Sequence, residues 1–147
     1  MGQLNIPSLS RVYVDTAVMI YTVESNPDYW RLLQPLWSKF QTEEIEIITS
    51  ELTLMEVLVR PFRMNDTNLV TDYKELLLST GIELIPVNLD ILREAARLRS
   101  QTSLKTPDAI HAASYFTTNC HLFLTNDKGF RNLQNLSVVA LSEVLAQ

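Results

Sequence analysis

One cysteine, three glycines and two histidines are all that 147 residues hold of those types, and each shortage rules something out. A single thiol, Cys120, cannot build an internal disulfide framework and suits a reducing compartment. Three glycines leave no glycine-rich loop to cradle phosphates, which removes the P-loop and dinucleotide-binding readings. No apolar run approaches the roughly 18 residues that a membrane span needs. The opening MGQLNIPSLS lacks the basic and apolar regions of a signal peptide. A cytoplasmic protein without membrane contact is therefore expected. Positive charge is in deficit as well: 12 Lys and Arg against 17 Asp and Glu give a formal −5, so bulk charge does not draw the chain to nucleic acid. Its basic character is local. Arg60 and Arg63 are close in sequence, and Lys105, Lys128 and Arg131 each stand beside a conspicuous acid.

What is present is an alternation. Short β-rich runs at 11–15, 45–49, 82–87, 121–125 and 137–141 are separated by helical patterns at 17–23, 28–40, 51–60, 66–79, 89–101 and 107–118, with a short one at 142–146. The strands are nearly continuous in apolar residues, as strands covered on both faces should be. Pro35 is expected to kink or split the second helix, Pro61 to stop the third, and Pro107 to occupy a first helical turn. In 89–101, residues Leu89, Leu92, Ala95, Ala96 and Leu98 are spaced as one apolar stripe. The length suits one domain over 1–147, with 1–10 as a lead-in. Strands alternating with helices imply an α/β fold: a mostly parallel sheet of about five strands between two helical layers.

In such sheets the working residues gather beyond the carboxyl ends of the strands, where the strand order reverses. Four acids fall at equivalent places. Asp15 ends the first strand, and Asp127 follows the fourth in HLFLTND. Glu56 lies about one and a half turns into the helix after the second strand, and Asp108 opens the helix that leads into the fourth. Each has a plain structural reading: Asp15 and Asp127 as turn residues, Asp108 as a helix-dipole partner, Glu56 as half of a capping box with Thr53. Ser50 is the better cap of that helix, and Glu51, in its first turn where the helix dipole favours an acid, remains a rival to Glu56. Taken together the four point to one rim. Like charges at close range resist joint ionisation unless a cation lies between them. Hard oxygen donors suit Mg²⁺ or Mn²⁺, whose chemistry here is metal-assisted phosphoryl transfer.

The stretches VDTAVMIY, TSELTLMEVLVRP, TPDAIHAAS and FLTND resemble, in order and spacing, the acidic motifs of PIN-domain proteins, particularly VapC-type toxin ribonucleases. The resemblance runs from about Val12 to Leu141. It implies a three-layer α/β/α PIN-like fold and an endoribonuclease dependent on Mg²⁺ or Mn²⁺, with Asp15, Glu56, Asp108 and Asp127 as the acidic quartet. Thr125 matches the family's small hydroxyl residue beside the last acid and Thr16 the polar neighbour of the first, with Asn126 as a further supporting residue. Arg60, Lys105 and Lys128 become candidate substrate contacts. The resemblance also implies an RNA substrate, homodimers, and an antitoxin whose basic segment enters the acidic cleft. One position departs: two residues after Asp127, where many relatives carry another acid, this chain has Gly129, so a second metal ion is in doubt.

The remaining conspicuous residues read as structural. A metal-free ribonuclease needs two acid–base groups at one phosphate. His121 opens the fourth strand, roughly 13–17 Å from its far rim at about 3.3 Å per residue, and is not expected to meet His111. His111 is expected to be a packed or surface helix residue rather than a contact to substrate or to a group supporting the site, Cys120 a small buried hydrophobe, Trp30 and Trp37 core or dimer contacts, and Arg93, Glu94 and Arg97 an exposed, locally paired face. Two other readings stand beside the nuclease: a non-catalytic PIN-like RNA-binding or assembly module, and a receiver-type signalling domain. The receiver lacks support, since Ser142 and Glu143 stand where its lysine should follow the fifth strand, and only one acid follows the first.

Overall fold

A computed structural model describes residues 2–147. Five parallel strands, β1 (Arg11–Val14), β2 (Glu46–Ser50), β3 (Glu83–Ile85), β4 (Leu122–Thr125) and β5 (Val138–Ala140), form one sheet in the order β3-β2-β1-β4-β5. The chain builds outward from β1 to β3, then crosses back to lay β4 against the other side of β1. The order therefore reverses between β1 and β4, which pair in register Val14↔Leu124. Residues alternate between two cores. Val12, Val14, Ile47 and Leu124 enter one; Tyr13, Ile48 and Phe123 enter the other. That two-sided burial explains the unbroken apolar runs.

The first face is covered by α1 (Thr16–Val23), α2 (Gln34–Gln41), α3 (Glu51–Arg63), α4 (Thr67–Ser79) and α7 (Leu141–Ala146), and the second by α5 (Leu89–Gln101) and α6 (Thr106–Phe116). The α/β/α layering is the expected one. Four local details differ from the sequence reading. The helix expected over 28–40 begins only at Gln34, with Pro35 in its first turn, and the residues before it form hydrogen-bonded turns. Pro61 does not stop α3: it sits in the last turn, where its missing N–H costs one bond, and the helix runs on to Arg63. In α5 the buried positions are Ile91 and Ala95, while Leu89 (68 % exposed), Leu92 and Ala96 face water. A 3₁₀ turn, Lys128–Asn132, follows β4 where only loop was expected. Among the described residues no helix is long and apolar enough to cross a membrane.

Candidate active site

The reversal between β1 and β4 puts two chain ends side by side. Asp15 leaves β1 and caps α1: its Oδ1 accepts the Val18 N–H at 3.4 Å, and its Oδ2 accepts the Thr125 hydroxyl from the end of β4. It is therefore a turn-and-cap residue and a rim residue at once. Only 7 % exposed, it pays heavily in hydration, and burial pushes its carboxyl from 3.8 up to about 6, against the opposing pull of Thr125 and His111. Thr125 also accepts the Asp127 N–H at 2.9 Å, so one hydroxyl fixes both loops. Asp127 is exposed and starts the 3₁₀ turn, its Oδ1 accepting the Gly129 N–H at 2.8 Å. A Cβ at Gly129 would stand 3.1 Å from that oxygen, so a side chain there would have to displace the Asp127 carboxylate slightly.

Glu56 reaches the rim from the second turn of α3. Ser50 caps that helix through the Leu52 N–H, as expected. Glu56 Oε1 accepts the Thr16 hydroxyl at 2.6 Å and lies 2.8 Å from His111 Nε2. Its partial burial works to raise its pKa, but those two bonds outweigh it and hold the carboxyl below its ordinary value. Asp108 lies in the first turn of α6, behind Pro107. Burial raises its carboxyl first, then the neighbouring charges of Asp127 and Glu56, while His111 and Lys105 pull it down. Asp108 thus feels both Asp127 and Glu56, and His111 acts on Asp15, Glu56 and Asp108 alike. Glu51, by contrast, is exposed, and its Oε1 meets only the Val87 N–H, at 3.4 Å.

The supporting residues divide. Thr16 and Thr125 bond the acids directly. Asn126 straps the loop instead, donating to Tyr21 Oη at 3.1 Å and accepting the Ser142 N–H at 2.9 Å. Lys105 precedes α6 close to Asp108, and Lys128 follows Asp127. Arg60 is 3.9 Å from Glu24 at the far end of α1, roughly 13 Å along that helix from Asp15 at 1.5 Å per residue. His121 binds the Arg11 N–H at the amino end of the sheet, far from His111, as expected. His111 itself is packed, as expected, and its partners Thr16 and Glu56 are candidate site residues, the reading of His111 that the sequence favoured less. Its position three residues after Asp108, on the same helical face, was the available signal.

Among the described residues, no three His, Cys, Asp or Glu side chains come close enough together to ligate one ion. The donor chemistry nonetheless suits a hard divalent cation: all four candidates are carboxylates, and the repulsion felt by Asp108 is of the kind a cation relieves.

The PIN domain profile matches residues 12–136. No curated protein matches the chain. Among solved structures, a toxin–antitoxin complex from Klebsiella pneumoniae superposes with a TM-score of 0.67 at 23 % identity, over 88 % of this chain and 96 % of that one. VapBC2 of Rickettsia felis, bound to a DNA fragment from its promoter, gives 0.71 at 18 % identity, over 88 % and 98 %. Mycobacterium tuberculosis VapC20, a toxin that cleaves the sarcin–ricin loop, gives 0.63 at 16 % identity, over 76 % and 86 %.

Proposed function

The chain belongs to the PIN domain family, and from that premise we propose that it is a metal-dependent endoribonuclease, the toxin of a toxin–antitoxin pair. The observation that supports this best is the bonding at the carboxyl ends of β1 and β4, where Thr125 joins Asp15 to the Asp127 loop and Thr16, the next residue, joins Glu56, which His111 also meets. Asp15, Glu56, Asp108 and Asp127 would hold Mg²⁺ or Mn²⁺. When bound, the cation supplies water activation and charge neutralisation at a scissile phosphate. The chain's own side chains prepare the place. Thr125 holds Asp15 Oδ2 and the Asp127 backbone, and Thr16 holds Glu56 Oε1. Lys105 and Lys128 stand beside the acids to meet flanking phosphates. The protein acts in the cytoplasm, as a homodimer of one 147-residue domain, and a basic antitoxin segment occupies the cleft when RNA is absent.

The test is cleavage of total RNA by the purified, partner-free protein with Mg²⁺, with Mn²⁺ or with chelator. Cleavage that requires the cation and leaves 5′-phosphate and 3′-hydroxyl ends supports the reading. Cleavage undiminished by chelator, or 2′,3′-cyclic ends, overturns it.

A further inference from the structure

His111 is 3 % exposed, and a polar ring so buried must be satisfied by the protein. Tyr13 Oη lies 2.6 Å from Nδ1, Glu56 Oε1 2.8 Å from Nε2, and Thr16 Oγ1 3.3 Å from Nε2. We infer that His111 is a positioning residue for the cation site, holding the Glu56 carboxylate in one orientation through a tautomer that Tyr13 selects. The inference rests on the metal-dependent reading above.

The argument follows the donors. An ionised carboxylate only accepts, so the proton between His111 and Glu56 belongs to Nε2. When the ring is neutral, Nδ1 is then an acceptor, which the Tyr13 hydroxyl 2.6 Å away fills. Tyr13 is fully buried and stacked on Phe123 with ring centroids 5.1 Å apart, so its hydroxyl is fixed by the sheet core. The order of the relay is Tyr13 O–H to Nδ1, then Nε2–H to Glu56 Oε1. The Thr16 hydroxyl adds a second donor to the same oxygen. Two donors on Oε1 prevent the carboxylate from turning. Among the described residues nothing hydrogen-bonds Oε2, so that oxygen would remain open to a cation. The relay also joins the layers. Tyr13 belongs to the core beneath α5 and α6, whereas α3, which carries Glu56, packs on the opposite face. Metal-site partners of this kind cost about 10- to 100-fold in affinity or activity when removed.

The experiment measures Mn²⁺ affinity by calorimetry without RNA, kcat and KM for RNA cleavage, and the ¹⁵N signature of the His111 ring in metal-free protein. His111→Leu fills the space without a donor and should weaken Mn²⁺ binding and lower kcat by about 10- to 100-fold, with KM nearly unchanged. His111→Gln, whose amide can donate where Nε2–H did, should recover most of both. Tyr13→Phe should turn the single Nε2–H tautomer of the wild type into a mixture and weaken Mn²⁺ binding less than His111→Leu does. His121→Gln, at the other end of the sheet, should change nothing. A folded His111→Leu with wild-type Mn²⁺ affinity overturns the inference, as does an Nδ1–H tautomer in the wild type. If His111→Leu does not fold, Tyr13→Phe and the ring signature decide: an unchanged tautomer and unchanged affinity overturn it. A wild type that neither binds Mn²⁺ nor cleaves RNA defeats the functional reading itself, whereas intact binding and cleavage in wild type and His111→Leu alike defeat only the role of His111.

Discussion

The Asp15 carboxylate caps α1 and is withdrawn from water in the same position, so removing its charge separates the two contributions. A shift from 3.8 to about 6 means that the ionised form is disfavoured by roughly 3 kcal/mol in the fold. The folded pKa is raised, so the stability tied to protonated Asp15 is fully present below about 3.8 and is lost as pH rises through about 6. Asp15→Asn remains a good cap but forfeits one of two hydrogen bonds, about 1 kcal/mol. In chelator the variant should therefore melt about 2–8 °C above wild type at pH 7, and the gap should close towards pH 4. It should also lose most activity and gain less from Mn²⁺. Melting curves of both proteins at several pH values, with chelator and with Mn²⁺, check this; a variant less stable than wild type at pH 7 shows that capping outweighs desolvation. Glu56 and Glu51 make the second comparison at this scale. Glu56→Gln removes a charge held by Thr16 and His111 and should cut cleavage at least about a hundredfold. Glu51→Gln, exposed and weakly bonded, should cost only a few tenths of a kcal/mol of stability. The same cleavage assay ranks the two, and a larger loss at Glu51 contradicts the geometry.

At the scale of elements, α5 shows how a correct helix can carry an incorrect face. Of the expected stripe Ala95 is buried and Leu98 partly so, yet Ile91 is buried in place of Leu89 and Leu92, which are exposed. Ile91→Ala should then destabilise by about 2–4 kcal/mol and Leu92→Ala by less than about 1, read from urea midpoints; the reverse order restores the leucine face. The strands were legible because both of their faces are buried, which leaves a plain apolar signature in each run. Ser50 as a cap and Pro107 in a first turn were legible because caps are local chemistry. The turns before α2 and the 3₁₀ turn after Asp127 were not, since a few tertiary contacts decide them. The strand-end rule pointed to Asp15 and Asp127, and the choice of Glu56 leaned on the family motif, whereas no rule singled out the partners of His111, because Tyr13 and Glu56 come from elements 98 and 55 residues away. A buried polar link between two layers leaves no periodic trace in either.

At the scale of the whole molecule, charge sets how partners arrive. With a net −5, and with Asp15 and Asp127 following the carboxyl ends of β1 and β4, the proposed acidic rim would draw cationic segments and repel polyanions. On the proposed reading Lys105 and Lys128 would meet about two phosphates of RNA, and the slope of log K against log salt should then be roughly −1.4, at about 0.7 per contact on a single strand. A basic RNA-binding protein with many such contacts would give a much steeper slope. An Arg- or Lys-rich peptide, standing in for an antitoxin segment, faces the opposite field. It should inhibit cleavage, raise the melting temperature of the metal-free protein, and lose affinity as salt shortens the reach of exposed charges to about 10 Å at 0.1 M. Excess Mn²⁺ should compete with it, because both neutralise the same carboxylates. Titrating one such peptide at several salt and Mn²⁺ concentrations, with RNA cleavage and melting as parallel readouts, tests the whole arrangement. Inhibition that ignores both salt and Mn²⁺ places the peptide elsewhere on the surface, and a steep RNA slope means that basic contacts beyond Lys105 and Lys128 carry the substrate.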